Sequence, residues 1–317
     1  MLIESSRERA PSRSVVALSI GGVVLLWALN FIAAKIGLRH LTPLTMASFR
    51  VVIAGAVMVP LYLVCRRLPA FAEAAQARRA GFTGKDLWTF VYLGFFGVIV
   101  NQLCFTIGLY YTSVGHAAVI VGMGPIYTLT LAVLFRVEKA NWRKATGMAI
   151  AFSGIVLLAS ENGITAHSPS LLGDAITMTG SLGFAVYAVL GKRVAGRYDS
   201  LTMTAFNHFA GALLVLPLAI HEARALGAAA NWRAIPWESW AATLYMAFLG
   251  SAAAYVLYFW LLRFLEASQL SAFTYLLPIS ATILGILWLG ERGSWSQLVG
   301  GTVALLGVYW VESGRGS

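Results

Sequence analysis

Along this chain, apolar runs of about 20 residues alternate with short polar breaks, and the breaks are mostly basic. A run of that length crosses a hydrocarbon core of about 30 Å when it is helical. The first fourteen residues are polar. The run at 15–37 that follows is too long for the apolar stretch of a signal peptide and lacks a convincing cleavage site, so it is read as the first helix. Further spans fall near 44–65, 87–111, 115–135, 142–159, 171–191, 202–220, 237–262, 268–289 and 295–312. The pattern predicts an all-α integral membrane protein with ten transmembrane helices.

The same pattern is written twice. Moving 153 positions along carries Gly115–Ala159 onto Ser268–Glu312 without a gap. Pro125 then meets Pro278, Glu138 meets Glu291, Trp142 meets Trp295, Gly147 meets Gly300 and Gly154 meets Gly307. Shared Leu and Ala mean little in apolar sequence, but a shared internal Pro, an acidic-basic pair and a following Trp are harder to obtain by chance. Tyr92, Phe95 and Gly97 likewise fall on Tyr245, Phe248 and Gly250. Further back the offset is 157, where Lys35 meets Lys192 and Phe49 meets Phe206. The chain is a tandem duplication: repeat 1 at 15–159 and repeat 2 at 171–312, with a linker at 160–170 and short tails at 1–14 and 313–317.

Composition agrees with the pattern. Only 11% of the 317 residues are charged and 59% are hydrophobic, where a soluble domain carries about a quarter charged residues; mean hydropathy is +0.75. The net charge of +10 lies in short loops between spans, so it reads as a topology signal and not as a nucleic-acid surface. Seventeen of the 23 Lys and Arg fall on the side of the N-terminus and the even-numbered connections, five fall on the other side, and Arg50 lies inside the second span. The excess of positive charge predicts both termini in the cytoplasm. Because each repeat has an odd number of helices, the second crosses in the opposite sense to the first. Such inverted five-helix repeats are a plan common among transporters, with the binding site near the midplane between repeats. Cys65 and Cys104 both belong to apolar spans and build neither a disulfide framework nor a metal cluster.

Superposed repeats single out one face. Trp27 and Asn30 correspond to Phe184 and Tyr187, and Gln102 and Phe105 correspond to Tyr255 and Tyr258. Each pair is three residues apart and so lies on one side of its helix. Asn30, Asn101 and Gln102 lose hydrogen bonds if they face lipid, so they are expected to face the interior or a wet cavity. The eight residues are candidate substrate contacts, mostly aromatic, which suits a flat or amphipathic solute; alternatively they only pack. His116 and Gln269 correspond at the starts of helices 4 and 9 as gate candidates or ordinary helix-end groups. Pro125 and Pro278 would bend their helices. His208 reads as a buried hydrogen-bonding group, and Lys35 and Lys192 as snorkelling ends. Arg50 needs a partner that the sequence does not identify. No residues present a catalytic order, a nucleotide loop, a metal site or a need for a cofactor.

Taken together, Trp27-Ala-Leu-Asn30-Phe, Gly108-Leu-Tyr-Tyr-Thr-Ser-Val-Gly115, Pro125, Phe135-Arg-Val-Glu138, Leu287-Trp-Leu-Gly-Glu291 and the Gly147/Gly154 pattern resemble the drug/metabolite transporter superfamily in its form with two EamA domains. The resemblance spans nearly the whole chain. It departs at Phe-Arg-Val-Glu138, where the family usually has Leu-Gly-Glu. It implies a ten-helix inverted repeat in a bacterial inner membrane, with a cavity lined by helices 1, 3, 4, 6, 8 and 9. It also implies carriage, commonly outward, of small metabolites such as amino acids and related amphipathic compounds. The expected partners are a small-molecule substrate and the bilayer, with no nucleic acid, and a monomer suffices. The competing reading is an integral-membrane enzyme acting on a lipid-linked substrate, which would need an acid, base or metal ligand inside the bundle. No Asp or Glu lies in the middle third of any span, so facilitated diffusion or exchange is expected before proton coupling.

Overall fold

The computed structural model describes residues 11–67, 82–112, 117, 120–139, 141–160, 171–228, 232–280, 283 and 295–313. Residues 1–10 and 314–317 of the tails, the linker from 161 to 170, His116, Glu291 and Arg292 lie outside the described residues. Among those described there is no strand. The helices, in chain order, are α1 (Arg13–Gly37), α2 (Pro43–Cys65), α3 (Gly84–Tyr111), α4 (Gly124–Leu134), α5 (Trp142–Ser160), α6 (Leu171–Val194), α7 (Ser200–Ala228), α8 (Trp237–Phe264), α9 (Ala267–Ala272, continuing through a 3-10 turn at Phe273–Tyr275) and α10 (Trp295–Ser313). Six of them, α1, α2, α3, α6, α7 and α8, are long and apolar enough to cross a membrane.

Local chemistry sets the ends. Thr42 caps α2 just before Pro43, where a proline's missing N–H costs nothing. Thr83 and Asp86 form a reciprocal capping box at α3, which satisfies two of the donors a helix start leaves open. Trp88, Trp142, Trp237 and Trp295 stand exposed in the opening turns of α3, α5, α8 and α10, as expected of aromatic side chains at a membrane–water interface.

The helices pair as the duplication requires. Extensive interfaces join α5 to α10 and α2 to α7, each a helix with its own counterpart, and α4 meets α9 in the same way. The remaining pairs are exchanged, α1 with α8 and α3 with α6, which are the first helix of one repeat and the third of the other. A two-fold operation relating the repeats maps this set of contacts onto itself. Small residues allow the close approach. A Cβ on Gly154 would stand 2.6 Å from the Gly300 carbonyl oxygen, and one on Gly307 would stand 2.6 Å from that of Gly147. Across α2–α7, a Cβ on Gly55 would lie 2.4 Å from that of Ala212.

Two features are absent from the periodicity. The middle of α3 (Phe95–Leu103) and of α8 (Met246–Ala253) winds as π-helix, and the two stretches overlap under the 153-residue offset. The continuous helix expected over 115–135 is interrupted by a turn at Met123, with Pro125 in the first turn of the segment that follows. Its counterpart α9 tightens to 3-10 geometry at Phe273–Tyr275, just before Pro278. Each proline therefore follows an interruption instead of bending a regular helix.

Candidate functional site

The π-helical turns put backbone against side chain at the molecule's centre. In α3, a Cβ on Gly97 would fall 2.3 Å from the Tyr187 ring; in α8, a Cβ on Gly250 would fall 2.2 Å from Asn30 Oδ1. Asn30 and Tyr187 are repeat counterparts, as are the glycines. Each π segment thus receives the same position of the opposite repeat's first helix. Trp27 Nε1 donates to the Gly250 carbonyl at 3.1 Å. Tyr255 Oη lies 2.8 Å from the Gly97 carbonyl oxygen and 3.0 Å from Asn101 Oδ1, and its one proton serves either acceptor.

Beside these contacts lies a cavity of about 90 Å³, bordered by α1, α2, α3, α4, α6, α8 and α9. By that measure one water needs on the order of 10–15 Å³, so several fit. Six of the eight residues singled out by repeat superposition border it: Trp27, Asn30, Gln102, Phe105, Phe184 and Tyr255. Trp27 meets Phe184 edge-on at 5.4 Å and Tyr255 at 6.0 Å, while Phe31 meets Phe105 at 4.8 Å. Tyr187 and Tyr258 are buried in the packed core behind this wall and do not border the cavity. Gln269 is buried in the first turn of α9, and Lys35 is exposed at the end of α1. Lys192 donates to the Leu262 carbonyl at 2.7 Å.

Arg50 borders the cavity as well, with its side chain 3% exposed. Its Nε donates to Ser251 Oγ at 3.2 Å. Ser251 lies in the π segment of α8, and its hydroxyl stands 2.9 Å from both Gln102 Oε1 and the Met246 carbonyl, with one proton for the two. Gln102 Nε2 approaches His208 Nε2 at 3.5 Å, while His208 Nδ1 lies 2.9 Å from the Thr204 carbonyl. A carbonyl can only accept, so Nδ1 carries the proton and Nε2 accepts from the Gln102 amide. The chain Arg50–Ser251–Gln102–His208 is therefore hydrogen-bonded throughout, and only Arg50 carries charge. The small hydroxyl residues on the cavity wall, Thr177, Ser181, Ser271 and Thr274, were not distinguishable in the sequence, because Ser and Thr are scattered along every span.

A separate set of ion pairs and hydrogen bonds joins elements at the basic end of the bundle. Buried Lys144 of α5 bonds Glu138 at 3.2 Å and also Glu266, while Glu138 accepts from the backbone N–H of Ser268 at 3.1 Å and from its hydroxyl. Arg193 donates to the Phe135 carbonyl. Arg197 pairs with Asp86 at 3.2 Å, and Tyr198 donates to the same carboxylate. Burial and this hydrogen bond push the Tyr198 phenol up to about 12, so it stays a donor.

Comparison with known proteins places this arrangement among others. The model of the EamA-like transporter family matches twice, at residues 15–160 and 171–313. A transporter of uncharacterised role from Archaeoglobus fulgidus is 26% identical over 92% of this chain and 96% of its own. A probable terminal-alkyne amino-acid exporter from Streptantibioticus cattleyicolor is 26% identical over 95% of this chain and 94% of its own. One solved crystal structure superposes with a TM-score of 0.67 at 17% identity, covering 94% of this chain and 96% of that one; it shares the fold.

Proposed function

The chain belongs to the EamA-like transporter family, and on that premise we propose that it carries small amphipathic metabolites, amino acids or their relatives, outward across a bacterial inner membrane. The observation that supports this reading best is the cavity's position. It sits between two repeats whose helices pair under a two-fold operation, and it is bordered by helices of both repeats. The terminal-alkyne exporter adds the direction and the solute class.

In this reading all ten helices cross, with both termini cytoplasmic, so the basic end faces the cytoplasm. The Glu138–Lys144–Glu266 cluster then closes the inner side, and the cavity opens toward the outer half. Alternating access moves the two repeats about the centre, and the interruptions before Pro125 and Pro278 let α4 and α9 follow. Trp27, Phe105, Phe184 and Tyr255 contact the apolar part of the solute, with Asn30 and Gln102 orienting it; Tyr187 and Tyr258 support that wall from behind. Gln269 acts at the inner gate with His116 as its outer counterpart. Movement follows the solute gradient, by facilitated diffusion or exchange.

Inverted and right-side-out vesicles loaded with a panel of labelled amino acids test this. Exchange that depends on the protein, and that is lost in Gln102→Ala with the protein still in the membrane, is the expected result. Absence of exchange for every solute in both orientations would remove the proposal.

A further inference from the structure

Among the described residues the buried charge on Arg50 has no counter-charge. Among the described residues no carboxylate stands within ion-pair distance of it, and its Nη1 has no hydrogen-bond partner. Its one bonded neighbour, Ser251, is neutral, and so are Gln102 and His208 beyond it. A guanidinium withdrawn from water without a paired anion is costly, and in membrane proteins such groups face cavities and mark the paths of their ligands. The repeat counterpart of Arg50 is Asn207, so helix packing at this position does not demand a cation. The side chain borders the cavity, and Arg is the residue best shaped to take a carboxylate through two parallel N–H donors.

We infer that Arg50 is the anion-binding group of the cavity and that it receives the carboxylate of the transported solute. The inference rests on the transport reading and narrows it to solutes that carry a carboxylate. Ser251 positions the guanidinium through Nε, which leaves the Nη side free for the ligand. Because Ser251 can give its proton either to Gln102 or to the Met246 carbonyl, the network adjusts to an arriving anion without stranding a donor. The apolar remainder of the solute then lies against Trp27 and Phe184.

Binding to purified protein in detergent tests this with phenylacetate and L-phenylalanine, each against its carboxamide, and with potassium chloride and phosphate as further arms. The expected result is that the carboxylates bind at least about tenfold more tightly than the carboxamides, as a charge-assisted bidentate pair predicts. The preference should vanish in Arg50→Gln and return in part in Arg50→Lys. Should Arg50→Gln fail to fold, the wild-type comparison of acid with amide decides alone. Equal binding of acid and amide, or of neither, overturns the inference. Binding of chloride or phosphate that excludes the carboxylates would mean an inorganic counter-ion only, and would overturn it too. Counterflow in proteoliposomes separates the two claims. A protein that exchanges the amides as well as the acids keeps the transport reading and loses the carboxylate, whereas one that binds the acids but moves nothing does the reverse.

Discussion

At the scale of single residues, the centre of the protein distinguishes hydroxyls that are used from hydroxyls that are not. Tyr255 Oη serves one of two buried acceptors, whereas Tyr258 Oη is buried without a partner among the described residues. An unsatisfied buried polar group costs about 1–3 kcal/mol. Tyr258→Phe is therefore expected to leave the melting temperature unchanged or higher, and Tyr255→Phe to lower it, in thermal unfolding of detergent-solubilised protein. Glycine at 250 is equally constrained. Gly250→Ala would drive a methyl into Asn30, so exchange activity should fall while Gly21→Ala, which meets nothing within 4 Å, should keep it. Superposing repeats identified the aromatic wall because equivalent positions share a face. It could not separate Tyr187 and Tyr258 from Tyr255, since depth behind a wall leaves no mark on helical periodicity.

At the scale of elements, the glycine pattern in α5 and α10 is a packing device whose substitution should be costly. A side chain at Gly154 or Gly307 collides with the partner backbone, not with a flexible tip, and overpacking costs about 1–3 kcal/mol or more. Gly154→Leu should lower the melting temperature more than Gly84→Leu, at a site open to solvent. Most helix limits could be read from hydropathy to within a few residues. One exception, besides the interrupted α4, is α7, expected to stop near 220 but extending to Ala228. Its last turns are polar, and they are held because Thr45 donates to Glu222 at 2.7 Å and Thr42 at 3.1 Å. The π-helical turns were illegible for a different reason: they shift hydrogen bonds by one residue without demanding any composition.

At the scale of the whole molecule, the tied basic end bears on motion. Removing one partner of a buried ion pair strands the other, at about 3–5 kcal/mol. Lys144→Ala should therefore lower stability. It should also raise labelling of a Ser271→Cys variant by impermeant thiol reagents in inverted vesicles. Reporter fusions after Arg79 should be cytoplasmic and those after Ala166 periplasmic; both on one side would contradict inverted repeats.

The paired π segments also set off the difference between the two halves. A wide turn stands at overlapping positions in both halves of the duplication. The backbone feature is shared, but the side chains around it differ. One half supplies Arg50, Asn30 and Gln102, where the other has Asn207, Tyr187 and Tyr255. The charge and amides at the cavity thus come from one repeat, so a cavity that exact symmetry would make indifferent to a solute's orientation has a head and a tail.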